Sequence, residues 1–180
     1  MDDELDDKKY PSAKILLDLT YKEYEYESER RKNLETKSGI CIALAGTMLS
    51  LLLSRMAWGQ IPTWDSEWIL LQACVAVIAG ISFLCTIAFL LVAVNYFTKV
   101  LIFVLYQRLD IDEAMNYTSN KEDEFAQFLI PYLCDYIEYN ANRNKEKGDN
   151  FSKGLKCVRN AIVVMAVFFA SRCILAFFST

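Results

Sequence analysis

ILLQACVAVIAGISFLCTIAFLLVAVNYFT, residues 69–98, runs for thirty residues without a charged side chain. A helix of that length covers about 45 Å, more than the ~30 Å hydrocarbon core of a bilayer, so tilt or overhang is expected. A soluble reading would have to bury one uninterrupted apolar helix of this length in a 180-residue chain. Helices in globular proteins average about 11 to 12 residues, and the membrane class follows. Ala76 and Gly80 sit at close-contact spacing along it, and Gln72, Ser82, Thr86, Asn95 and Thr98 are its polar side chains.

Outward from this stretch, apolar and polar blocks alternate. Residues 38–56 form a first span and residues 158–180 a third, interrupted by Arg172. Between the first two spans, residues 57–67 with Pro62 read as a short external turn, and Trp58, Trp64 and Trp68 mark one interface. Residues 1–12 open with Asp2, Asp3, Glu4, Asp6 and Asp7 and read as an acidic disordered tail; they lack the apolar core of a cleavable signal peptide. Residues 13–37 contain neither proline nor glycine and predict one helix. Its tyrosines, Tyr21, Tyr24 and Tyr26, suit helix packing or stacking on a base.

Residues 99–157 form the second polar region. The helix of the second span is expected to continue as a stalk to about Leu109, followed by a loop. A helix then covers residues 122–139, kinked or split at Pro131, with Phe125, Phe128, Leu129, Tyr132, Leu133, Tyr136 and Ile137 on one face. Residues 140–152, rich in Asn, Lys and Gly, read as a polar connection. The expected fold is an all-α integral membrane protein with three transmembrane helices. Its cytosolic helical region combines the N-terminal helix, the extension of the second span and the 122–139 helix.

Orientation follows from the basic residues. Arg30, Arg31, Lys32 and Lys37 approach the first span, and Lys99, Arg108, Lys121, Arg143, Lys145, Lys147, Lys153 and Lys156 lie between the second and third. Arg55 alone flanks the short turn. The positive-inside rule therefore predicts a multi-pass protein with a cytoplasmic N-terminus.

Histidine is absent, which removes histidine general acid/base catalysis, Ser/His and Cys/His nucleophile pairs and histidine metal sites. The six cysteines, Cys41, Cys74, Cys85, Cys134, Cys157 and Cys173, show no CxxC spacing and fit isolated thiols in a reducing compartment. The three spans carry no Asp, Glu or His to pair with a nucleophile, and no glycine-rich phosphate loop, metal-spaced carboxylates or DNA-binding motif occurs. The expectation is a non-enzyme without cofactor or metal and without direct nucleic-acid binding.

Three residue sets are candidates for function. Gly39, Ala43, Gly46, Ser50 and Ser54 fall within a sector of about 80° and form a small-residue stripe. The stripe suits close packing within the chain or against a second copy. Arg172 lies about 18 Å beyond Asn160 by helical rise. As an intramembrane arginine it faces a partner or a watery cavity, or else snorkels to the far interface. With Asn95, Thr86 and Gln72 it forms the set of polar side chains that could line an opening. In the polar region, Arg143, Lys145 and Lys147 could meet a phosphate while Tyr132, Tyr136 or Tyr139 stacks on a base. A solvated, membrane-facing basic segment explains the same residues.

ERRKNLETKSGICIALAGTMLSLLL, residues 29–53, resembles the membrane entry of small bacterial antiphage effectors, the SLATT proteins and the Pycsar-type membrane effectors. Lys37-Ser38-Gly39 and the stretch Ala43 to Gly46 carry that likeness. NRNKEKGDNFSKGLKCVRNAIVVMAVFF, residues 142–169, is similar to their lysine-rich approach to a last span. A third span departs from the two-span SLATT form. The resemblance implies a bacterial inner-membrane effector that oligomerises on infection, permeabilises or depolarises the membrane and stops growth of the infected cell. It also implies partners: the lipid bilayer, further copies of the chain, and a cyclic nucleotide or a cytosolic defence protein as the signal. The alternative is a non-conducting anchor or accessory subunit for a soluble nuclease, a CRISPR effector or a signalling enzyme.

Overall fold

The computed structural model describes residues 13–54, 69–102, 106–108 and 122–177, with the side chains of residues 122 and 123 excepted. The acidic tail, the turn with its three tryptophans and the expected loop after Leu109 lie outside the described residues. Three helices account for nearly all of the rest: α1 (Ala13–Ser54), α2 (Ile69–Leu101) and α3 (Glu122–Phe177). Each is long and apolar enough to cross a membrane. The described residues are thus almost entirely helical, as the periodicity predicts, with three candidate spans.

α2 runs through Asn95 without a break and ends at Leu101, where Ile102 N–H donates to the Thr98 carbonyl at 3.0 Å. The expected stalk to Leu109 does not form, because Tyr106–Arg108 is not helical. The backbone of Gln107 bonds elsewhere. Its N–H donates to Asn140 Oδ1 at 3.3 Å, and its carbonyl accepts from Asn140 Nδ2 at 3.1 Å. One amide side chain thereby replaces the peptide partner a helix would have supplied.

α3 shows the opposite departure. Residues 140–152 continue as helix, and Pro131 sits inside it. Both Pro131 and Gln127, whose carbonyl loses its usual partner there, lie on an exposed face. The Asn-rich run is helical because Asn140 and Asn144 are fully buried and spend their amides on tertiary hydrogen bonds. Asparagine disfavours helix interiors by competing for backbone groups, and that competition disappears once its side chain has distant partners.

The chain divides into two compact units. Of the described residues, unit 1 contains 13–34, 106–108 and 122–147, and unit 2 contains 35–54, 69–102 and 148–177. Unit 1 packs Ala126, Leu129 and Leu133 of α3 inward, at the 3/4 spacing of one helix face. Unit 2 has three apolar clusters. Ala45 and Met48 of α1 meet Leu90 and Ala161; Leu52 meets Ala79, Phe83 and Phe168; Ala93 and Phe97 meet Val158. The Phe83 and Phe168 rings lie 5.6 Å apart and those of Phe97 and Phe151 5.7 Å apart, both tilted. Such pairs contribute about 0.5–1.5 kcal/mol each beyond burial. The outward faces of unit 2 stay apolar, with Leu44, Leu51, Leu70, Val77, Ile81, Leu84, Leu91 and Val163 exposed. An apolar exterior is what lipid contact requires.

Candidate functional site

Two places in the fold concentrate polar groups with chemical potential. The first is a buried cluster in unit 1. Glu27 of α1 is only 4% exposed, and Asn144 of α3 is fully buried beside it. Both amide hydrogens of Asn144 go to Glu27, one to carboxylate Oε2 at 2.6 Å and one to the backbone carbonyl at 2.8 Å. Arg30 Nη1 donates to the other carboxylate oxygen at 3.2 Å. A carboxylate without such partners would be costly to bury, by several kcal/mol. The Arg31 guanidinium stands over the Tyr106 ring, 4.6 Å from its centre, and Tyr24 Oη donates to the Gln107 carbonyl at 3.3 Å. Burial pushes the Tyr106 phenol above its ordinary 10.0, and the Arg31 guanidinium over its ring pulls the other way. Burial likewise raises Tyr24, against the pull of Arg108. Tyr106 Oη and Asn144 Oδ1 are buried without a hydrogen-bond partner.

Sequence reasoning missed this cluster. The available signals were Thr20, Tyr24, Glu27 and Arg31 at 3/4 spacing, and Asn140 and Asn144 one turn apart in a run free of proline.

The second place is a cleft of about 600 Å³ in unit 2, lined by Met48 and Leu51 of α1 and by Met165, Phe168, Phe169, Arg172, Cys173 and Ala176 of α3. Arg172 is half-buried and makes no ion pair or hydrogen bond among the described residues. The other polar residues grouped with it by sequence do not join it. Gln72 and Thr86 are buried in unit 2, Thr86 Oγ1 donating to the Ser82 carbonyl at 2.8 Å, whereas Asn95 is exposed. Nine residues separate Thr86 from Asn95, about half a revolution in excess of whole turns, so the two lie on opposite faces of α2.

Gly39, Ala43, Gly46, Ser50 and Ser54 are all exposed. Nothing lies within 4 Å of a Cβ placed on Gly39 or Gly46. The chain's own close contacts use other small residues, Ala45, Ala79, Ala93 and Ala161, and Gly154.

Helical continuity also rearranges the expected phosphate and base contacts. Tyr132, Tyr136, Tyr139, Arg143 and Lys147 share one sector of α3, while Lys145 lies on the other side. Lys147 is buried, Lys145 exposed, and Tyr132 stacks on Phe128 with ring centres 4.9 Å apart. Arg143 is engaged by the Tyr139 ring at 5.3 Å and by Glu146 at 3.4 Å. Tyr132 and Lys147 stand about 22 Å apart by helical rise, too far to hold one nucleotide. The six cysteines are free, and no metal-binding group of His, Cys, Asp or Glu occurs among the described residues.

Comparison with protein-family models, with curated proteins and with solved structures yields no match.

Proposed function

We propose that this chain is a membrane effector of bacterial antiphage defence that self-associates in the inner membrane and permeabilises or depolarises it. Unit 2 spans the bilayer with the N-terminus cytoplasmic, and unit 1 is the cytosolic part that takes the signal, a cyclic nucleotide or a defence protein. The reading rests on the resemblance of residues 29–53 and 142–169 to such effectors. One structural observation supports it most: the small-residue stripe of α1 is left uncovered by the chain's own helices. In lipid, helices associate through close backbone approach rather than through hydrophobic burial, and a free stripe of Gly, Ala and Ser offers that approach to a second copy. The buried Glu27–Asn144 pair gives unit 1 a discrete polar arrangement that a signal could open or hold closed.

The test is membrane potential in cells expressing the protein, with and without phage infection, for the wild type and Gly46→Leu. Gly46 is exposed and nothing among the described residues lies within 4 Å of a Cβ placed there, so the added side chain extends from the surface that an approaching helix would use. Infection-dependent depolarisation, lost in Gly46→Leu at equal membrane abundance, is the expected result. Equal depolarisation in the variant would refute the stripe as the contact between copies. A steady potential in the wild type with protection intact would assign the chain as a non-conducting anchor.

A further inference from the structure

The cleft beside Arg172 has two properties that no described residue completes. Its walls are apolar, from Met48, Leu51, Phe168 and Phe169, and its one charged group is a guanidinium. Leu51 and Phe169 are themselves exposed, so the cleft opens sideways to whatever surrounds the helices. Within the apolar stretches 38–54, 69–98 and 160–177 there is no Asp or Glu to neutralise the arginine. Nor does the guanidinium engage any partner among the described residues. A cation at this depth is retained only where an anion or water meets it.

We propose that the cleft is a binding site for one anionic glycerophospholipid, its phosphate held by Arg172 and one acyl chain laid along the groove between α1 and α3. The volume of about 600 Å³ falls within the ~300–1,000 Å³ of clefts that hold small ligands. Arg172 lies five residues before Phe177, about 8 Å along the helix, and an arginine side chain spans much of that distance. A guanidinium meets a phosphate through paired, charge-assisted N–H···O bonds, which a zwitterionic headgroup with its own ammonium neutralises in part. The apolar groove selects the lipid over free phosphate, because inorganic phosphate gains nothing from the walls. The inference needs only that unit 2 lies in a bilayer, and it stands apart from whether the protein conducts.

The experiment is native mass spectrometry of the full-length chain in neutral detergent, counting lipids retained after separate additions of phosphatidylglycerol, phosphatidylethanolamine and inorganic phosphate. Wild type is expected to retain one phosphatidylglycerol per chain with at least about tenfold preference over phosphatidylethanolamine. Arg172→Gln, which removes no ion pair or hydrogen bond among the described residues, should erase that preference. Ala176→Phe keeps the arginine but fills the groove, and should lower retention of both lipids by about tenfold or more. The proposal is overturned if Arg172→Gln retains the preference, if Ala176→Phe binds like the wild type with unchanged helicity, or if inorganic phosphate displaces the lipid. A wild-type protein that retains the lipid yet leaves the membrane potential steady on infection would overturn the effector reading and leave this one standing.

Discussion

Gly154→Ala should destabilise the protein, although alanine is the better helix former. Gly154 lies in the interior of α3 and is buried, and a Cβ there would stand 2.6 Å from Phe97 Cε1 and 2.9 Å from both Cδ1 and Cζ. Carbon atoms in contact prefer about 3.5–4.0 Å, so the ring must retreat by about 1 Å. It has little room, since Phe97 is fully buried, stacks on Phe151 at 5.7 Å and shares a cluster with Ala93 and Val158. Overpacking typically costs about 1–3 kcal/mol, and an approach of 2.6 Å to a ring this enclosed puts the cost in the upper part of that range, about 2–3 kcal/mol. Replacing an interior helical glycine returns about 1 kcal/mol, so the net loss is about 1–2 kcal/mol. For a chain of this size that lowers Tm by roughly 2–8 °C. Thermal unfolding in mild detergent, followed by far-ultraviolet circular dichroism, reads the shift. Gly148→Ala serves as the control, because nothing lies within 4 Å of its Cβ position and only the propensity gain remains. Phe97→Leu combined with Gly154→Ala should cost less than the sum of the two single changes, since the smaller side chain removes the clash. If Gly154→Ala melted at or above the wild-type temperature, the close approach of α2 and α3 at this point would be wrong.

Asn144→Ala removes both donors to Glu27 and should cost about 2–3 kcal/mol in chemical or thermal unfolding. Glu27→Gln should recover part of that loss, and strictly additive effects would show that the two side chains do not interact. Tyr106→Phe should be at least as stable as wild type at neutral pH, because the hydroxyl is buried without a hydrogen-bond partner. The same variant should also change the alkaline limb of the stability profile. The Tyr106 pKa is raised by burial, so the folded protein keeps the proton that the unfolded chain releases around the ordinary 10.0. Its contribution is therefore complete below pH 10 and is lost as pH rises through the folded value. Tyr106→Phe should decline less steeply there than wild type; parallel curves would refute the buried phenol.

The spans and the helical class are legible in the sequence because thirty uncharged residues leave few alternatives. What misleads is the polar half of the chain. Residues 140–152 have the composition of a loop, and composition cannot report that Asn140 will bond the Gln107 backbone or that Asn144 will bond Glu27 across 117 positions of sequence. The residues 99–109, in contrast, look like continued helix by propensity, yet Tyr106–Arg108 is claimed by the same asparagine. Both departures have one cause, a tertiary hydrogen bond that outweighs local preference, which is worth only a few tenths of a kcal/mol per residue. Among the candidate residues, the five small residues of α1 that share one face by period are all left exposed. Asn95 faces away from Thr86 because nine residues of helix separate them, a relation that lies in the spacing and not in the polar character the two side chains share.

The small residues of unit 2 carry a further argument. The interior contacts are made by Ala45, Ala79, Ala93, Ala161 and Gly154, each buried, while Gly39, Ala43, Gly46, Ser50 and Ser54 remain outside. A single chain that needed small residues only to pack its own helices would have no use for the second set. Glycine in a helix costs about 1 kcal/mol relative to alanine, and two exposed glycines in one span are an expense the monomer does not recover. In the proposed assembly they recover it by admitting a second backbone. The two sets should therefore separate under substitution: Gly154→Ala lowers stability at any protein concentration, whereas Gly39→Ala and Gly46→Ala leave the single chain as stable as wild type or more so. Cross-linking in membranes reads the other half. If Gly46→Leu gave the same oligomer ladder as wild type, the outer set would have to be explained by lipid contact alone.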